Sequence, residues 1–148
     1  MKLEHRVVVS APPERVWGLL MDVPAAARRI PGVESVEPLG ADRYRGRLRV
    51  QLGPVRLAFE GDLALEDRDD AARTATLRGS GTDKGSGGGV RALVGLAVAA
   101  ASAGGSEIHI TTDVQLGGRI AELGQPLIKR QADRTLDAFA ASLRRDLA

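Results

Sequence analysis

Two periods run through this chain. Leu3, His5, Val7 and Val9 alternate with Glu4, Arg6 and Val8, which predicts a first strand that stops at Ser10-Ala11-Pro12-Pro13. The two prolines open a helix whose buried side is Val16, Trp17 and Leu20, and Pro24 ends it near Asp22-Val23. A second short helix is predicted from Ala25 to Arg29, bounded by the Pro31-Gly32 turn. From Gly117 to Leu147 the period changes. Ile120, Leu123, Leu127, Leu136, Phe139, Leu143 and Leu147 recur mostly at steps of three and four among charged residues, the pattern of one long amphipathic helix. Gly124 and Pro126 predict a kink or a short first segment in it.

Between these helical stretches the period-two alternation resumes. Tyr44, Gly46, Leu48, Val50 and Leu52 share one face, and Arg43, Arg45, Arg47, Arg49 and Gln51 the other. Gly53-Pro54 turns the chain, and Val55, Leu57, Phe59, Gly61, Leu63 and Leu65 return on the inner face. A tight turn there sets Arg47 opposite Glu60, Arg45 opposite Asp62 and Gly46 opposite Gly61. The arginine stripe therefore reads as half of a cross-strand charge ladder facing water, in preference to a polyanion-binding surface. The strand Arg73 to Gly81 sends Ala75, Leu77 and Gly79 inward and sets Gly79 beside Gly61. A row of inward glycines marks a sharp bend, floor space for a ligand, or both.

Val90, Ala92, Val94, Leu96 and Val98 continue inward. On the outward parity Leu93, Gly95, Ala97 and Ala99 are apolar, either as small residues of a central strand or as a face covered by a partner subunit. The last strand, Glu107 to Leu116, sends Ile108, Ile110, Thr112, Val114 and Leu116 inward. Strands on both sides of two short helices, followed by one long helix, predict an α+β fold over residues 1–148: a seven-stranded curved antiparallel sheet closed around its C-terminal helix.

Composition narrows the function more than it reveals it. The 148 residues suffice for one domain with its own core. With 21 basic and 19 acidic residues interspersed, no basic block marks a nucleic-acid partner. The absence of cysteine excludes thiolate catalysis, disulfides and thiolate metal sites, and fits a reducing cytoplasm. The charged stretch Lys2 to Arg6 is unlike a signal peptide, and the ten-residue apolar run Ala92 to Ala101 is too short to span a bilayer.

Catalytic and metal-binding patterns are equally scarce. In the glycine-rich stretch Gly79 to Gly89, Lys84 is followed by Gly85 and no helix opens behind it, so it fails as a phosphate loop. It is expected instead to form a mobile hairpin gating a cavity mouth. No Ser-His-carboxylate order and no metal-ligand spacing occurs among residues that include only two histidines, His5 and His109, so no catalytic residue, metal or cofactor is expected. Inward polar groups reduce to Tyr44, Thr112 and His5.

With four aromatics and many small residues, a sheet wrapped on one helix leaves a void suited to an apolar guest. The expected walls are Tyr44, Leu48, Val50, Leu57, Phe59, Gly61, Ala75, Leu77, Val94, Leu96 and Ile110 from the strands, with Leu123, Leu127, Leu136 and Phe139 from the helix. Access is expected near the glycine-rich hairpin and the Gly124–Pro126 kink. A Trp in place of Gly61 or Ala75 is expected to fill the pocket while folding survives.

The element order resembles the helix-grip fold of the START and birch-pollen-allergen superfamily. More narrowly, the segments APPERVWGLLMD (11–22), IPGV (30–33), YRGRLRVQLGPVRLAFEG (44–61) and LGGRIAELGQPLI (116–128) resemble the carbon monoxide dehydrogenase CoxG family over the whole chain. That resemblance implies a non-catalytic accessory protein of a molybdenum hydroxylase complex of the carbon monoxide dehydrogenase type. It would assist membrane recruitment of the enzyme or handle a quinone or other lipid-like acceptor, an isoprenoid quinone among them. It also implies a cytoplasmic protein with peripheral contact at the inner face of the cell membrane. The alternative is a cavity enzyme of the polyketide cyclase and aromatase type, a class that needs acids, bases or aromatic walls inside.

Overall fold

The computed structural model describes residues 1–147. Seven strands, β1 (Lys2–Val9), β2 (Val33–Gly40), β3 (Arg43–Leu52), β4 (Val55–Asp69), β5 (Thr74–Asp83), β6 (Gly89–Ala100) and β7 (Ser106–Leu116), form one antiparallel sheet in the order β1-β7-β6-β5-β4-β3-β2. Between β1 and β2 lie α1 (Pro13–Met21) and α2 (Val23–Ala27). After β7 come a 3-10 segment (Gly118–Leu123) and the long helix α3 (Gln125–Asp146), the short first segment that Gly124 and Pro126 predict.

Local chemistry explains the boundaries. Helix α1 carries Pro13 in its first turn and buries Val16, Trp17, Leu20 and Met21. Helix α2 starts two residues before the predicted Ala25, because the Asp22 side chain caps it by accepting from Ala25 N at 3.3 Å and Pro24 fits its first turn. The alternation leaves β2 poorly marked, since Pro38 and register shifts at Val33/Ser35 and Pro38/Gly40 interrupt it. Such irregularity suits an edge strand, which must not recruit another sheet. The other edge, β1, is covered by α3: Arg144 Nε donates to the Val8 carbonyl at 3.0 Å. At the same C-terminal end of the helix Asp146 pairs with Arg29, just beyond α2, at 2.9 Å.

The predicted register between β3 and β4 holds. Arg45 faces Asp62, Arg47 faces Glu60, and Gly46 faces Gly61, with the ion pairs at 3.1 and 3.8 Å on the exposed face. Between β4 and β5 it does not. Gly79 lies opposite Leu63, and the residue beside Gly61 is Gly81. The hairpin turns at residues 70–73, and a register shift between Glu66 and Asp69, with Asp67 at φ 49, puts one extra residue on the β4 side, which together leave the pairing two residues from the predicted one. A slip of two preserves which face each side chain takes, so the inward set stays inward.

The core is divided. One large cluster joins α1 to β1, β6, β7 and the C-terminal half of α3, through residues such as Val16, Trp17, Val98, Ile108, Phe139 and Leu143. A second, small cluster of Leu52, Leu57 and Ile120 sits at the β3–β4 hairpin. The backbone of α3 comes near β1 and β3, towards the two sides of the sheet, and bridges the central strands between them.

Candidate functional site

The inward rows of the sheet show what lies in the gap between the clusters. Gly46, Gly61 and Gly81 are in register across β3, β4 and β5, followed by Val90 and Leu116 on β6 and β7. The neighbouring row runs Tyr44, Leu63, Gly79, Ala92 and Val114. The middle of these rows, Gly61, Gly81, Gly79 and Ala92, offers little side-chain bulk, and all ten residues are half-buried on the inward parity. Above them, the α3 residues Ile128, Gln131, Ala132, Thr135 and Leu136 are half-buried as well. The middle of the concave face and the side of α3 above it are thus less completely buried than either cluster.

The sequence-predicted wall residues divide between the two clusters. Ala75, Leu96, Ile110 and Phe139 are closed into the large cluster, with Tyr44, Leu77, Val94 and Leu136 half-buried against it. Leu57 is buried in the small cluster, with Val50, Phe59, Leu123 and Leu127 packed around it. Leu48 belongs to neither cluster and stays half-buried between them.

Gly61 is a bend more than a floor. A Cβ there would run into the Ser80 carbonyl oxygen and lie 2.6 Å from Gly81 Cα, so the sheet coils so tightly at this point that only glycine fits. A Trp at Gly61 therefore parts β4 from β5 instead of filling a pocket, and a Trp at Ala75 overpacks the large cluster. Three open depressions, of about 610, 860 and 520 Å³, lie on the strands, and α3 contributes to none of them. Outward polar residues such as Asp62, Arg78, Arg91 and Asp113 line them, together with members of the inward rows, Gly61, Gly81 and Val90 in the first and Leu63, Gly79 and Ala92 in the second. Leu93 is the large apolar side chain of the outward β6 face, where its neighbours are small.

The glycine-rich hairpin is anchored, contrary to the expected mobile gate. The buried Asp83 carboxylate accepts from Ala58 N at 2.8 Å, from Ser86 N at 2.8 Å and from Ser86 Oγ at 2.6 Å. The Ser86 hydroxyl and these backbone N–H groups hold the Asp83 carboxyl below the usual carboxylate range. Gly88 is buried against Ile120, where even a Cβ would come within 2.6 Å of Ile120 Cδ1.

The fold also assembles a histidine–carboxylate pair that no sequence spacing showed. His5 Nε2 donates to Asp133 Oδ1 at 2.8 Å across 128 residues, while Lys129 Nζ donates to Asp133 Oδ2 at 2.8 Å. Lys129, and after it His5, hold the Asp133 carboxyl below its ordinary range. The remaining ring nitrogen, His5 Nδ1, is buried without a hydrogen-bond partner. The pair sits at the β1–α3 seam, with its free nitrogen buried. Among the described residues no group of three or more His, Asp or Glu is placed to hold a metal. No helix among them is long and apolar enough to cross a membrane.

Residues 6–148 match the model of the CoxG family of carbon monoxide dehydrogenase subunits. The chain belongs to that family. No curated protein matches it in sequence. Among solved structures it is similar to a conserved protein from Geobacillus kaustophilus, with TM-score 0.88 and 20% identity over 99% of this chain and 95% of that one. It is also similar to the Zhui aromatase/cyclase from Streptomyces sp. R1128 (TM-score 0.70, 21% identity, 100% and 96% covered). A START superfamily protein from Mycobacterium smegmatis gives TM-score 0.70 at 13% identity, with 99% and 96% covered. At such identities these structures establish the helix-grip fold, and the CoxG match establishes the family.

Proposed function

We propose that this CoxG-family chain is a non-catalytic carrier of an apolar, quinone-like or lipid-like molecule. It serves a molybdenum hydroxylase of the carbon monoxide dehydrogenase type, by assisting its membrane recruitment or by delivering its electron acceptor. The observation that carries the reading is the divided core: two separate apolar clusters with half-buried, mostly apolar residues of the sheet and of α3 between them. An apolar cleft that the chain itself leaves unfilled gains free energy by taking in a hydrophobic guest. Leu48, Phe59, Leu63, Leu77, Val94 and Leu136 are the residues assigned to its walls.

Peripheral contact with the inner membrane face is part of the same proposal. The end of the cleft marked by Leu123 and Leu127 carries Arg56, Arg119 and Arg130 on exposed positions, without an acidic partner among the described residues. Cations around half-exposed apolar residues suit an anionic lipid surface from which such a guest would be drawn.

The other reading, a cavity enzyme, draws on the aromatase/cyclase likeness and the His5–Asp133 pair. A general base must reach the proton it removes, whereas His5 Nδ1 is buried and Asp133 is engaged by Lys129. Solvent extraction and mass spectrometry of freshly purified protein test the carrier reading. An apolar molecule is expected at near one per chain. Empty protein that also takes up no hydrophobic probe would rule the carrier out, and unaided turnover of a polyketide-like substrate would favour the enzyme.

A further inference from the structure

In α3 the residues Leu127, Gln131, Thr135 and Phe139 follow one another at spacings of four, so they form one ridge along the helix. Both ends of the ridge are apolar and seated: Leu127 packs on the small cluster and Phe139 is buried in the large one. A Cβ at Gly53, at the β3–β4 turn, would lie 3.6 Å from Leu127 Cδ2, which fixes that end of the ridge against the sheet. The two middle members are polar, half-buried and hydrogen-bonded to each other, Gln131 Nε2 donating to Thr135 Oγ1 at 3.4 Å. They fall where the core is interrupted, alongside the small Ala132. A helix ridge that served packing alone would carry leucine there, as it does one turn earlier.

We infer that Gln131 and Thr135 form the polar anchor of the cleft, binding a hydrogen-bond-accepting group, such as a ring carbonyl, on an otherwise apolar ligand. This rests on the carrier reading above and specifies its ligand. Whichever way the Gln131 amide is turned, one hydrogen bond to Thr135 leaves at least one N–H for a guest. A purely hydrocarbon guest would leave these groups desolvated and unpaired, and an acceptor-bearing guest would not. The pair therefore selects among apolar molecules by the presence of an acceptor.

The test compares two probes of one bicyclic frame, menadione with its ring carbonyls and methylnaphthalene without them, by equilibrium dialysis against the full chain. The chain has no cysteine for menadione to modify. Replacing Gln131→Leu or Thr135→Val is expected to weaken menadione about five-fold, the loss of one neutral hydrogen bond, and to leave or improve methylnaphthalene binding. Equal changes for both probes, or none in either variant, would overturn the anchor while leaving the carrier intact. Failure of the unaltered chain to bind either probe would overturn the carrier and the anchor together. Thr135→Val is nearly isosteric, so it carries the comparison if far-UV dichroism shows Gln131→Leu misfolded.

Discussion

Gly61 and Gly79 share the concave face, yet a methyl group at each would meet different surroundings. At Gly61 it collides with the backbone of β5; at Gly79 its nearest neighbour is Leu63 Cδ1 at 3.4 Å, an ordinary contact with a side chain that can give. Gly61→Ala is therefore expected to destabilise by about 1–3 kcal/mol, the usual range for overpacking, and Gly79→Ala by less than about 1 kcal/mol. Denaturant melts of the two variants check this, and equal losses would mean that the bend at Gly61 relaxes freely. Asp83 supports a second prediction at this scale. Its carboxyl is held low in the folded chain by Ser86 and by the Ala58 and Ser86 N–H groups, so the unfolded chain binds its proton first as pH falls. The stabilisation is complete above the unfolded value near 3.9 and is lost as pH drops towards the lower folded value. Thermal midpoints measured from about pH 6 to pH 3 should fall less steeply in Asp83→Asn, which starts lower because its amide nitrogen cannot accept from Ser86.

The elements differ in how firmly they are held. Strands β6 and β7 pass through the large cluster, whereas the β3–β4 hairpin and the 3-10 segment rest on a small one with three buried members, Leu52, Leu57 and Ile120. Fewer buried apolar contacts mean a lower free energy of local opening. Amides of Val50 to Leu57 should exchange with solvent well before those of Leu96 and Ile108, as native-state hydrogen exchange would show. Uniform protection would mean that the two clusters open as one unit. Helix α3 spans both regimes. Its C-terminal half is buried at Phe139, Ala140 and Leu143 and tied by Arg144 to β1, while towards its start the polar link to the sheet is the His5–Asp133 contact. The N-terminal half of the helix is thus the half with fewer anchors, as the proposed uptake of a guest beside it requires.

For the whole molecule, the carrier reading predicts that menadione raises the thermal midpoint with increasing ligand, because only the folded chain offers the cleft. The same ligand should slow exchange in the first half of α3 and leave β6 and β7 unchanged. Protection confined to the outward face would move the site to one of the surface depressions. Much of this architecture was legible in the chain, because side-chain parity has a strict period: the inward sets of β1 and β3 to β7, the Arg45–Asp62 and Arg47–Glu60 pairs and the break at Gly124 all follow from it. Parity says nothing of how far one strand slides past the next, so the turn at 70–73 together with the bulge at Asp67 sets Gly81, not Gly79, beside Gly61. Nor does it mark Gln131 and Thr135 as the proposed anchor, although the eight-residue gap between Leu127 and Leu136 in the apolar stripe is where they fall. The sequence by itself determined the faces, because each is set by its own strand or helix. The tertiary structure alone decided the divided core, the anchored Asp83 hairpin and the His5–Asp133 contact, because each depends on where residues distant along the chain come to rest in space.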